Sequence, residues 1–233
     1  GAKVLTVGGD GTSTTFSGVL SDGSGSLALT KIGAGSLTLS GTNTYSGVTL
    51  LNVGSLIIAN DSGLGSTVGG TTVASGATLD LNNVTVGAES VTLAGGTLKD
   101  VTSSLSGDIT LTANSTFSAT NAGDTLTLSG VISGDGYGIT KTGAGTVVLS
   151  NNNTYTGTTA IDQGTVAFTT SVLPAMLHTI CRARLPVSPT SVGRPSATRL
   201  GRQRCPSGPV LLPKRLLARC TMSRPTSRST GAG

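Results

Sequence analysis

Two stretches of this chain repeat one another 110 positions apart: residues 31–47 read KIGAGSLTLSGTNTYSG and residues 141–157 read KTGAGTVVLSNNNTYTG. Residues 29–59 and 139–169 align without a gap and share 13 of 31 positions. Such a duplication narrows the fold sharply. In a sandwich or a closed barrel each strand has its own neighbours and needs its own residues. A solenoid repeats the environment coil by coil and can therefore repeat the sequence.

Around the repeats the apolar residues alternate. SLTLS places Leu37 and Leu39 on one side, TLDLN Leu79 and Leu81, SVTLA Val91 and Leu93, DITLT Ile109 and Leu111, DTLTLS Leu126 and Leu128, and TVVLS Val147 and Leu149. A period of two, with Thr and Ser between, marks short strands that bury one face. GAG, SGTN, SDGSG, GDG and SNNN separate them, and these residues favour tight turns. Strands recurring at intervals of roughly 10–20 residues give an all-β chain. At about 20 residues per coil, residues 1–170 make roughly eight coils and a rod of about 40 Å, because neighbouring strands lie about 4.8 Å apart.

Composition divides the chain near residue 170. All eight prolines, all three cysteines, both methionines, the single His178 and all ten arginines follow that point, and every acidic residue precedes it. Residues 1–170 carry four Lys against ten Asp and Glu, a charge of −6; residues 171–233 carry ten Arg and Lys214, a charge of +11; together these give the +5 of the whole chain. Only the tail could attract nucleic acid or an anionic surface.

The tail shows neither strand alternation nor a helical period. It reads either as a disordered basic Pro/Ser/Arg-rich arm or as translation in a shifted frame, in which GGC, ACC, GCC and AAC codons become Pro, Arg, Ala and His. Cys181, Cys205 and Cys220 match no zinc spacing, and His178 alone cannot complete one. The cysteine-free rod suits a chain that crosses an oxidising compartment.

Leu29–Asn60 and Ile139–Phe168 resemble the autotransporter-associated β-strand repeat: Thr-Lys-x-Gly-x-Gly, a Leu-rich strand, Asn-x-Tyr-x-Gly and a closing Gly-Ser/Thr-Leu/Val. The repeats, with looser flanks, occupy 17–60 and 129–169. The resemblance implies a right-handed, single-stranded parallel β-helix (β-solenoid) over 1–170, with a disordered or irregular C-terminal tail over 171–233. It implies the passenger of a type V secreted protein, exported through the outer membrane of a Gram-negative bacterium by a C-terminal translocator β-barrel. No signal peptide precedes Gly1 and no barrel follows, so the chain reads as an interior or truncated piece.

The repeat positions singled out are Lys31, Gly33, Gly35, Asn43, Tyr45 and Gly47, with their counterparts Lys141, Gly143, Gly145, Asn153, Tyr155 and Gly157. The lysines read as solvated. The asparagines read as turn caps, stacked in a ladder if the intervening coils present the same side chain. The tyrosines read as structural partners of the Asn turn, or as stacking platforms for glycans.

Stretches with a chemical look read as turns. VGGDGT (residues 7–12) has the glycines of a phosphate-binding turn, yet an alternating strand follows it. SDGSGS (residues 21–26) has no His before residue 178 to serve as base. The ten acids stand singly with no Arg in the rod, a poor constellation for a polysaccharide lyase or hydrolase. No residue set points to a cofactor or metal. The expectation is a non-catalytic, adhesive surface rod whose partners are host-cell or matrix glycans or proteins, or further copies of itself. A carbohydrate-active β-helix enzyme and a nucleic-acid-binding tail are the alternatives.

Overall fold

The computed structural model describes residues 1–169 and the backbone of two further strands, Thr179–Cys181 and Leu216–Arg219. Among the described residues there is no helix. Strands stack into three sheets, and within residues 1–169 every pairing of strands is parallel, with one isolated antiparallel bridge between Ala74 and Gly95.

The first sheet runs Lys3–Val7, Leu27–Lys31, Thr49–Leu51, Thr71–Ala74, Val91–Ala94, Ile109–Ala113 and Ile132–Ser133. The second runs Thr14–Phe16, Ser36–Leu39, Ser55–Ile58, Thr78–Asn82, Thr97–Val101, Ser115–Ala119, Ile139–Thr142, Thr159–Ile161 and Thr179–Cys181. The third starts later, at Thr85–Val86, and continues through Ser103–Leu105, Thr125–Leu128, Thr146–Leu149 and Thr165–Phe168 to Leu216–Arg219, which pairs antiparallel. This is a β-solenoid of about eight turns. Coil length varies between 18 residues (Val91 against Ile109) and 24 (Ser115 against Ile139).

Parallel strands in register place the inward residues in columns. One column of the second sheet is Leu37, Leu56, Leu79, Leu98, Phe117, Lys141 and Ile161. Beside it run Leu39, Ile58, Leu81, Asp100 and Ala119. The alternating apolar pairs of the sequence point into this core and are buried, except that Leu27 of the pair Leu27 and Leu29 in SLALT is only partly covered. Fully burying one such Leu contributes about 1.5–3 kcal/mol, so the columns are the main source of stability.

The two repeat copies do not occupy the same faces. In the first, Leu27–Lys31 and Thr49–Leu51 lie in the first sheet, and Ser36–Leu39 and Ser55–Ile58 in the second. In the other, Ile139–Thr142 and Thr159–Ile161 lie in the second sheet, and Thr146–Leu149 and Thr165–Phe168 in the third. The unit has advanced by one face. Between the copies, coils with a strand on all three faces replace coils in which a loop closes one face.

The tail readings, disordered arm or shifted frame, lie outside the described residues, apart from the two strands that extend the second and third sheets.

Candidate functional site

The repeat residues form two recurring assemblies, one at the Gly corner and one in the Asn-x-Tyr loop. At the corner, Lys31 and Lys141 each fill an inward strand position with 0% exposure, so the expectation of solvated lysines is corrected. Lys31 Nζ donates to the carbonyls of Ile32 (2.7 Å), Gly33 (2.8 Å) and Val53 (3.4 Å). Lys141 Nζ donates to Thr142 (2.6 Å), Gly143 (2.7 Å) and Gln163 (3.3 Å). The long stem packs along the core column while the ammonium satisfies three corner carbonyls, two of its own coil and one of the next.

Glycine makes this cradle possible. Gly33 (φ 72°) and Gly143 (φ 74°) are left-handed, a conformation that costs an L residue. Gly35 and Gly145 lie against backbone carbonyls of the coil beneath, and Gly47 and Gly157 donate to Leu27 and Tyr137 at 2.9 Å each. Burial lowers the Lys141 ammonium to about 8. Lys31 is lowered for the same reason, with the Asp10 carboxylate acting the other way.

In the loop, Asn43 Oδ1 accepts from Leu20 N (2.9 Å) while its Nδ2 donates to Gly63 O (2.7 Å), so one side chain joins three coils. Asn153 Oδ1 accepts from Ile132 N in the same way (2.8 Å). The positions above and below Asn43 are Gly63 and Leu20, so the asparagine clamps backbone groups in place of the expected ladder. Thr44 N and Tyr45 N donate to Leu20 O, and Thr154 N and Tyr155 N to Ile132 O. The loop thereby covers the last strand of the first sheet, Ile132–Ser133, whose backbone would otherwise be an open edge.

Tyr45 and Tyr155 are buried, which removes the glycan-platform reading. Their hydroxyls bond Thr49 Oγ1 and Thr159 Oγ1, both at 2.7 Å. Burial pushes the Tyr45 phenol up to about 12 and raises Tyr155 as well. Thr49 and Thr159 were not singled out from the sequence. Their identity in both copies, four positions after the tyrosine, was the available signal.

The scattered acids are largely staples between coils. Asp22 accepts from Ser46 N (3.0 Å), Ser46 Oγ (2.5 Å) and Leu27 N (2.8 Å), which lower its pKa. Asp61 accepts from Thr85 N (2.7 Å), Asp108 from Val131 N (2.8 Å) and Asp135 from Thr156 Oγ1 (2.8 Å). Asp80 pairs with Lys99 at 2.6 Å. Apart from Leu27, five residues from Asp22, each partner is 19–24 residues away, one coil, so spacing along the sequence hid these pairs. Glu89 is buried and accepts from Thr71 Oγ1 (2.9 Å), and burial raises its pKa.

The suspect turns are corners. In GGDG, Gly8 is left-handed and Asp10 accepts from Thr12 N (3.1 Å) and Oγ1 (2.9 Å), bonds that lower its pKa. Among the described residues no group of three or more His, Cys, Asp or Glu could hold a metal ion. A shallow groove of about 240 Å³ lies where the third sheet begins, lined by Asn83, Thr85, Thr102, Ser104 and neighbouring Thr and Ser hydroxyls.

A family model described as the passenger-associated-transport-repeat matches residues 29–58 and 139–168. No characterised protein and no solved structure matches the chain. The matched segments begin at the strands that carry Lys31 and Lys141 and end on the strands Ser55–Ile58 and Thr165–Phe168, so each spans one corner, one Asn-x-Tyr loop and the next corner. The chain thus carries two copies of the passenger-associated transport repeat of autotransporters, within a β-solenoid that fits a segment of an autotransporter passenger.

Proposed function

We propose that the chain is a non-catalytic, adhesive segment of a surface-exposed passenger, binding host-cell or matrix glycans or proteins, or further copies of itself. The observation that carries this reading is the outward face of the sheets. Ser36, Ser55, Thr78, Thr97, Thr116 and Thr140 form one column of hydroxyls on the second sheet, and Thr72, Thr92, Thr110 and Ser133 another on the first. Hydroxyls repeating about every 4.8 Å can both donate and accept, which suits glycan hydroxyls and extended peptide. Carboxylates employed as staples are poorly placed as general acids or bases, because a catalytic pair must face one reacting bond.

The test is attachment of the purified chain to cultured cells, immobilised matrix proteins and a glycan panel, alongside light scattering for self-association. Absence of both attachment and self-association would sink the adhesive reading. Turnover of any polysaccharide in a broad panel, lost on changing one acid to its amide, would replace it with an enzymatic one.

A further inference from the structure

Each inner column of the rod admits a few polar residues, and all but one have matched partners. Lys31 and Lys141 have their carbonyls, Thr49 has Tyr45, and Thr71 has Glu89. Ser103 Oγ donates to Leu81 O (3.0 Å) and accepts from Val84 N (3.0 Å). Asp100 is the exception. Its column runs Leu39, Ile58, Leu81, Asp100, Ala119; its exposure is 0%; and neither carboxylate oxygen has a hydrogen-bond partner. The Thr102 and Ser103 amides and the Ser103 hydroxyl act against the effect of burial, yet none completes a hydrogen bond to it, and Thr102 is itself left-handed (φ 56°).

We propose that Asp100 is a proton switch on the stability of the central, three-sheeted part of the rod: the carboxylic acid belongs to the folded state and its ionisation loosens the coils around it. A charge buried between aliphatic rungs without a completed hydrogen bond is strongly disfavoured, and a proton is the smallest remedy. Among the described residues no lysine or arginine faces it. On its own strand Lys99 points outward and is taken by Asp80 of the strand below; the strand above, Ser115–Ala119, and the adjoining Thr125–Leu128 carry no titratable group. The facing group is another acid, Asp124, on the corner of the next coil, itself accepting from Asn121 N (2.8 Å) and Nδ2 (3.0 Å).

Burial raises Asp100 to about 6, with Asp124 adding to the rise and the nearby donors opposing it. A carboxyl raised in the folded state binds its proton more tightly there than in the unfolded chain. Its contribution to stability is therefore complete below the unfolded value near 3.8 and is lost as pH rises through about 6. Glu89, about half a coil earlier and also raised by burial, acts in the same direction. A shift from 3.8 to about 6 corresponds to about a hundredfold in the folding equilibrium constant.

The experiment is urea unfolding of the full chain at pH 4, 5, 6, 7 and 8, for the natural protein, Asp100→Asn and Asp100→Ala, with and without millimolar calcium chloride. Asparagine keeps the shape, and alanine reproduces Ala119 of the next rung. The natural protein should weaken from pH 4 to 7, and both variants should lose about a hundredfold of that dependence. Curves that stay parallel across pH in natural protein and variants would overturn the proposal. So would calcium stabilising the natural protein at pH 7 and neither variant, since the group would then serve a metal ion.

Discussion

Coil stacking through glycine can be isolated with three alanine substitutions in one molecule. At Gly145 the backbone is not left-handed, but an added methyl would stand 2.5 Å from the carbonyl oxygens of both Asn121 and Asp124 in the coil beneath. Ordinary contact begins near 3.4 Å, so the two coils must separate by roughly 1 Å or the corner must shift, and such overpacking costs about 1–3 kcal/mol. At Gly136 the space is open and φ is 77°, so alanine meets only the left-handed penalty, about 1–2 kcal/mol. At Gly123 there is neither obstacle, and alanine should be neutral or stabilise by about 0.4–1 kcal/mol through the unfolded chain. Urea unfolding of the full-length variants, followed by far-ultraviolet circular dichroism, reads all three. The reasoning requires Gly145→Ala to unfold well before Gly123→Ala, and the corner of the repeat to resist every larger residue. Gly145→Ala indistinguishable from Gly123→Ala would show that the coils are not held at this separation and would refute it.

Tyr45→Phe and Tyr155→Phe each leave a buried threonine hydroxyl without its partner, so each should cost about 1–3 kcal/mol, and the two values should agree within about 0.5 kcal/mol in chemical denaturation. Lys141→Ala removes a packed stem and leaves three carbonyls without their donor; a loss of about 3 kcal/mol or more is expected, against about 0.5 kcal/mol for a solvated lysine, and a neutral result would restore the solvated reading. Because Tyr45 is raised from 10 to about 12, the folded rod holds a proton that the unfolded chain releases, so stability should fall from pH 10 to 12. Ultraviolet titration should find that phenol ionising only near 12, and a simple transition at 10 for every tyrosine would contradict the burial.

The tyrosine and lysine show where sequence reading stopped. Alternation in segments such as SLTLS and TVVLS was enough to place Leu37, Leu39, Val147 and Leu149 in the core, because a strand's two faces differ by a single residue step. The duplicated unit, its glycine corners and a coil of about 20 residues were equally legible, since turn preference is local. Burial of Lys31 and Lys141 was not, because a charged residue inside requires acceptors that only folding assembles: the Val53 and Gln163 carbonyls lie 22 residues downstream. The staples of Asp22, Asp61 and Asp108 were hidden for the same reason, since each partner is 23 or 24 residues away along the chain yet adjacent across one coil.

By itself the sequence determined the period of the strands, the positions of the corners and the identity of the repeating unit, all of which follow from interactions within a few residues. Tertiary structure decided which faces the units occupy, that Asn-x-Tyr closes a sheet edge, and that Asp100 stands alone among Leu81 and Ala119. The physical reason is cumulative: coils of 18 to 24 residues with two or three strands each add up along the rod, and the face reached by the second copy depends on every coil before it.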